Sequence, residues 1–360
     1  MRNVAYAKDI TTLSIPFVCG VSIGSFIPCG AEACYFPASA AFLSASMLLV
    51  LSASMRKTGL ALHAAMLFIG LSTSFGARIP GMTSSVSVPL AERALESFST
   101  AIDGAGFSHD STSALVKALL TGRRESLDRD IVQAFREGGG AHILALSGLH
   151  LGIIYGILSK SLSVLGNSRA AGIARSVATV TACGFYALMT GLSPSIERAF
   201  LFITLNELSR HMPGRRRRPI ATLCAALTIQ LAVKPDVIGS TGFQLSYLAM
   251  AGICCIKPWL DRLYPESEKE GPVKRIWNSA ATAISCQATT APLAWAKFHT
   301  FPKFFLICNL VALPLTEALV VCSLLTVGLD VAGACPEMMK GLTDQLAQAL
   351  IFCLRTVSEM

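Results

Sequence analysis

The chain has 360 residues, of which 52% are hydrophobic and only 14% charged, with a formal net charge of +8. A soluble protein of this length would form two or three domains and carry close to twice that charge fraction, so the composition excludes an ordinary soluble enzyme. Apolar runs near the roughly 20 residues that a helix needs to span lipid recur from one end to the other. An all-α, polytopic transmembrane helix bundle is therefore predicted.

In chain order, hydropathy places about 10 or 11 spans near residues 13–29, 36–55, 59–78, 142–165, 172–190, 195–211, 219–234, 238–257, 276–296, 304–328 and 343–357. The first run is broken by Pro16 and several glycines and has no clear small-residue cleavage site, so it reads as a retained span and not as a signal peptide. The cationic loops at Arg56-Lys57, Arg169 to Arg175, Arg210 to Arg218 and Arg262 to Arg275 then return to the side of Arg2 and Lys8, which places the N-terminus in the cytoplasm. Arg215-Arg216-Arg217-Arg218 is the strongest topological anchor and a natural contact for anionic membrane lipid. The twelve cysteines show no C-x-x-C spacing, and the six histidines are dispersed, so neither a metal site nor a cofactor is indicated. Most cysteines read as small buried hydrophobes; Cys29 and Cys34 could pair at an oxidising face.

Three regions follow: N-terminal spans over 1–78, an extracytoplasmic polar interval over 79–140, and a membrane region over 141–360. Within the polar interval Leu115, Leu119, Leu127, Ile131, Val132 and Phe135 form an apolar side beside Arg123, Arg124, Arg129 and Arg136. This pattern predicts amphipathic helices lying at the membrane surface. Gly138-Gly139-Gly140 then gives a flexible break, and the span near 142–165 is expected to be re-entrant or broken, with Gly148 as the breaking residue.

Polar residues inside apolar runs must face protein or water. His142, Ser147, Gly148 and His150 occupy one such entrance. Ser195, Glu197 and Arg198 open another span, where Ser193 or Ser195 is a candidate helix cap. Gln244, Ser246 and Tyr247 start a third. Asn309 precedes Pro314, which should kink its helix, and Glu317 follows. For Ser246 and Asn309 the plain alternative is an interhelical hydrogen bond of about 0.6 kcal/mol; Arg198 and Glu317 are harder to explain as glue. Were the helix continuous, His142 and His150 would face similar directions and with Ser147 shape a polar constriction.

The string Phe135 to Gly152, reading FREGGGAHILALSGLHLG, resembles the signature of the ComEC family, the competence proteins of bacterial DNA uptake. Leu119 to Arg124, Pro194 to Ala199, Phe243 to Tyr247, Gln287 to Pro292, Phe298-His299 and Asn309 to Pro314 resemble further elements of that family in the same order. The resemblance implies a channel of the cytoplasmic membrane that conducts single-stranded DNA inward. It implies as partners an outer DNA receptor, a cytoplasmic ATP-driven motor, a separately encoded nuclease and further copies of the chain. On that reading Arg198 is the lining cation, His142, Ser147, Gly148, His150, Ser195, Gln244, Ser246 and Asn309 border the DNA path, and Glu317 pairs a cation. The OB-like and metallo-β-lactamase-like domains of longer members are not expected here, so no nuclease and no enzymatic activity are predicted. A competing reading makes Ser147 a nucleophile with His142 or His150 as base, an intramembrane hydrolase, though no carboxylate stands at a spacing that would orient the imidazole. A non-DNA transport or structural role is the other alternative.

Overall fold

The computed structural model describes residues 10–27, 35–56, 59–78, 89–137, 140–144, 146–166, 168–211, 219–264, 271–299 and 305–358. Arg2, Lys8, Cys29, Cys34, Gly138, Gly139 and Arg215 to Arg218 lie outside them. In chain order the α-helices are α1 Ile10–Phe26, α2 Tyr35–Arg56, α3 Gly59–Gly76, α4 Pro89–Gly104, α5 Asp110–Thr121, α6 Arg129–Glu137, α7 Ala141–Leu144, α8 Gly148–Ser161, α9 Arg169–Met189, α10 Pro194–Arg210, α11 Pro219–Val233, α12 Thr241–Cys255, α13 Lys257–Asp261, α14 Pro272–Phe298, α15 Phe305–Val331 and α16 Glu337–Ser358. Short 3₁₀ turns follow α8 and α11. Every expected span coincides with a helix, and no strand occurs among the described residues.

Among the described residues, three segments are long and apolar enough to cross a membrane: Gly148–Leu165, Arg169–Met189 and Asn309–Val331. Ile10–Phe26, Tyr35–Val50, Leu60–Gly76 and Pro219–Val233 are apolar but shorter. At 1.5 Å per residue a helix of this kind reaches about 25 Å, a little under the hydrocarbon thickness. The protein is an all-α membrane helix bundle.

The helices form two compact units, Met1–Val86 with Leu208–Cys254, and Ser87–Glu207 with Cys255–Met360. In the first, α1 and α3 meet through glycine. A Cβ on Gly20 would stand 2.0 Å from the Leu67 carbonyl oxygen, and one on Gly70 would stand 2.2 Å from the Phe17 carbonyl oxygen. Gly20 and Gly24 form a G-x-x-x-G stripe, the small-residue device that lets membrane helices approach backbone to backbone. Hydroxyls complete the packing. Ser39 Oγ lies 3.1 Å from Ser72 Oγ between α2 and α3, and Thr228 Oγ1 donates to Ser14 Oγ at 3.0 Å between α11 and α1. The Arg78 guanidinium donates to the Ser25 and Ile27 carbonyls at 2.7 and 2.9 Å, which satisfies the open C-terminus of α1.

The second unit holds the larger core. α5 was expected to lie on the membrane surface; instead Leu115, Val116, Ala118, Leu119 and Leu120 are all buried, with Thr112, Ala114 and Thr121. α5 is packed on nearly all sides, so its buried surface is wider than the one-sided stripe of Leu115 and Leu119. α6 keeps the expected one-sided character, burying Ile131, Ala134 and Phe135. Both join a cluster with Ala312, Leu319, Val320 and Val327 of α15 and Ala347, Leu350, Ile351 and Leu354 of α16. Polar pairs hold these helices in place: Lys340 with Asp330 at 3.1 Å, the fully buried Thr326 with Thr343 at 2.9 Å, Gln348 with Ser111 at 3.0 Å and the Ser108 N–H with Asp344 at 2.8 Å.

The cysteines depart from expectation. Among those described only Cys183 is buried, while Cys19 and Cys255 are exposed. A membrane protein can turn a weakly polar thiol outward, because its solvent there is as apolar as its core.

The glycine crossing gives a direct test. Gly70→Val should lower the helix-melting temperature in detergent by an amount equivalent to about 1–3 kcal/mol through overpacking. Gly152→Ala, where an added Cβ has nothing within 4 Å, should be neutral or stabilising by up to about 1 kcal/mol. Equal melting of the two variants would show that the α1–α3 approach is not tight.

Candidate functional site

The second unit contains a chain break between α7 and α8. Gly140 accepts the Ile143 N–H at 2.8 Å to start the single turn of α7. Ser147 is extended, at φ −115° and ψ 166°, and α8 begins at Gly148. The expected break is therefore present, and it separates His142 from His150, so the two do not share one helical face. His142 lies on α7, and its side chain is outside the described residues.

Ser147 and His150 form a capping box in which histidine takes the N3 position usually held by glutamate or glutamine. The Ser147 N–H donates to His150 Nδ1 at 3.1 Å, and Ser147 Oγ lies 3.1 Å from the same nitrogen. His150 is fully buried, and its Nε2 has no hydrogen-bond partner. Because Nδ1 accepts a backbone proton, a neutral ring carries its own hydrogen on Nε2.

Three further elements converge on this entrance. Gly122 ends α5 in the left-handed region, at φ 80°, and a Cβ there would stand 2.4 Å from Leu146 Cδ1. The segment Leu119 to Arg124 is thus seated against the segment that holds Ser147. From α9, the Tyr186 hydroxyl donates to the Leu120 carbonyl at 2.7 Å, satisfying one of the open carbonyls at the end of α5. From α10, Ala199 Cβ lies 3.1 Å from where a Gly148 Cβ would be. Leu146, Leu151, Cys183, Tyr186, Ala187 and Ile196 fill the space between.

α10 starts at Pro194, whose missing N–H suits the first helical position. Ser193 supplies the backbone carbonyl that receives the Glu197 N–H at 2.9 Å, but its hydroxyl is buried without a hydrogen bond and caps nothing. Ser195 is half-buried in the first turn. Arg198 is only 5% exposed, so its cation faces the interior of the unit and not lipid.

Glu207, at the far end of α10, was missed in the sequence. It is 3% exposed and accepts hydrogen bonds from the Tyr155 hydroxyl of α8 and from the Ser176 hydroxyl of α9 at 2.6 Å. One carboxylate thereby joins three helices. An acid within the apolar run from Phe200 to Leu208 was the available signal; its hydroxyl partners, 52 and 31 residues earlier, carry no local pattern.

The remaining expected residues are elsewhere. Gln244 and Ser246 belong to α12 of the first unit, and the Gln244 amide is engaged by the Ile238 carbonyl at 2.8 Å, closing the preceding 3₁₀ turn. Its neighbour Tyr247 donates to Gln230 at 2.9 Å. Asn309 and Glu317 lie on α15, the former half-buried and the latter exposed. Among the described residues no three His, Cys, Asp or Glu side chains gather as a metal site would require.

Gly122→Ala should destabilise the unit by about 1 kcal/mol or more, since it meets both a left-handed φ and the Leu146 side chain. Tyr186→Phe, which leaves the Leu120 carbonyl unpartnered, should cost about 1 kcal/mol. Thermal melting in detergent checks both, and a Gly122→Ala chain as stable as the parent would refute the tight seating of Leu146.

The competence protein family matches the chain over residues 119–360, which takes in α6 to α16, most of the membrane helices of the second unit and every site residue above. Among curated proteins, ComE operon protein 3 of Bacillus subtilis is 31% identical over 138 residues, 38% of this chain and 17% of that protein. Competence protein ComA of Neisseria gonorrhoeae is 30% identical over 181 residues, 48% of this chain and 24% of that protein. The uncharacterized protein YcaI of Escherichia coli is 23% identical over 213 residues, 58% of this chain and 28% of that protein. The matched stretch is less than a third of each relative's length. No solved structure matches the chain. With two thirds of its residues inside the matched region, this membrane protein belongs to the competence protein family.

Proposed function

We propose that the chain is a channel of the cytoplasmic membrane that passes single-stranded DNA inward during natural transformation, with its N-terminus in the cytoplasm. Membership of the competence protein family over residues 119–360 carries the reading. Physical arrangement supports it. A polyanion crossing a low-dielectric layer needs fixed positive charge and hydrogen-bonding groups held inside the bundle. Arg198 is an interior cation of this kind, and the Ser147–His150 pair stands at the neighbouring helix entrance, where Gly148 meets Ala199. An outer receptor delivers the DNA, an ATP-driven motor draws it in, a separately encoded nuclease degrades the other strand, and the channel assembles from copies of this chain together with anionic lipid at the arginine-rich loop.

The contact of Ser147 Oγ with His150 Nδ1 favours a second reading, the intramembrane hydrolase. Two observations weigh against it. The single lone pair of Nδ1 already receives the Ser147 N–H, and a fully buried ring with no carboxylate on Nε2 lacks the third group that orients a catalytic base.

Uptake of labelled DNA decides between them. Deleting the gene should abolish entry of a single strand. Complementation with Arg198→Ala should leave entry at least tenfold below the parent, while Arg198→Lys should recover part of it. Normal uptake in the deletion strain would overturn the proposal. Loss of membrane-peptide cleavage in Ser147→Ala, with DNA entry intact, would establish the hydrolase instead.

A further inference from the structure

α15 is packed on one side only. Ala312, Thr316, Leu319, Val320, Ser323, Thr326 and Val327 are buried on it, and Val311, Pro314, Glu317, Leu325 and Leu329 are exposed on the other. The segment Asn309–Val331 is long and apolar enough to cross a membrane, so its free side would ordinarily be the one that meets lipid.

Its first third carries polar groups that lipid cannot satisfy. Pro314 lies inside the helix and has no N–H to give to the Leu310 carbonyl. Glu317 presents an exposed carboxylate with no ion pair among the described residues. At 100° per residue, positions 310, 314 and 317 fall within about 60° of one another on the helix surface. Beyond Glu317 the exposed positions change character: Leu325 and Leu329 are aliphatic. Glu317 stands eight residues, or about 12 Å, into the span.

We infer that the Leu310–Pro314–Glu317 flank of α15 borders water, in a vestibule that enters the span from the Asn309 end and closes between Glu317 and Leu325. Water supplies the donor that the Leu310 carbonyl lacks and solvates the Glu317 carboxylate, and neither is available in hydrocarbon. The carboxylate gives the vestibule a negative potential, so its ligand is a small hydrated cation, and the phosphates of a nucleic acid are repelled there. This deepens the channel reading by assigning Glu317 to a counter-ion pocket beside the strand's path and not to a contact with the strand; the presence of water does not depend on the cargo.

Site-by-site mass spectrometry of the full chain in membrane vesicles tests it without DNA. Glu317→Cys should be modified by a membrane-impermeant thiol reagent at least tenfold faster than Leu325→Cys. In Ala318→Cys, which keeps Glu317, a cationic reagent should react several-fold faster than an anionic one, and adding Glu317→Gln should remove that preference. In the unsubstituted chain, a water-soluble carbodiimide with an amine should label Glu317, which guards against misfolding of the variants. Equal, slow reaction of the 317 and 325 cysteines together with no carbodiimide labelling would overturn the inference, as would oxidative cross-linking of two chains at position 317, which would make this flank a subunit contact. Water at position 317 in a strain whose deletion leaves DNA uptake unchanged would retain the vestibule and remove the cargo.

Discussion

Lipid offers no hydrogen bonds, and that constraint governs the second unit more than any single contact does. At two places where the backbone departs from continuous helix, a nearby side chain repairs it. The break before α8 exposes the Ser147 N–H, and His150 takes it. The end of α5 leaves open carbonyls, and Tyr186 donates to one of them from another helix. Because Tyr186 lies 66 residues after Leu120, its bond also fixes that α9 lies against the end of α5. In a bundle where apolar side chains gain little by preferring each other to lipid, such bonds and the close fit of small residues carry the specificity.

The same logic separates structural polar residues from those with work left to do. Gln244 is a polar group at a span entrance whose amide closes a 3₁₀ turn, and Tyr247 beside it is tied to Gln230. Both are explained by the fold. Glu207 is likewise engaged by two hydroxyls, and its conversion of three helices into one fastened group accounts for a carboxylate in an apolar segment. His150 differs: one nitrogen serves the helix cap, and the other is buried without a hydrogen bond. A cost of that kind, on the order of 1–3 kcal/mol for an unsatisfied buried donor, is the mark expected of a position kept for something other than stability.

Much of the architecture was legible because it rests on composition and periodicity. Each apolar run became a helix, and the break near Gly148 could be read from a Ser-Gly pair following three glycines. The breadth of burial on α5 was not legible, for a physical reason. Leu115 and Leu119 announce one apolar side, but Ala114, Val116, Ala118 and Thr121 are small or weakly polar and equally suited to close packing, so the full burial of the helix depends on α15 and α16, which lie some 200 residues later. The G-x-x-x-G stripe of α1 was in plain view, yet its meaning requires Gly70 as the opposing surface. The Ser147–His150 contact was foreseeable from i, i+3 spacing, while its character as a cap required knowing that the helix starts at Gly148.

Arg198 shows how far burial alone can take a functional argument. A guanidinium in the first turn of α10 does nothing for that helix's dipole, since a cation is unfavourable at an N-terminus. Nor does it face an aqueous surface, at 5% exposure. Its neighbours are closely packed: a Cβ on Gly148 would stand 3.1 Å from Ala199 Cβ, Ile196 is fully buried two residues earlier, and Pro194 starts the helix. An interior cation at the point where two family segments meet is what the proposed passage for a negatively charged chain would use, and on that proposal the attraction lies on α10 and the repulsion on the Glu317 flank of α15.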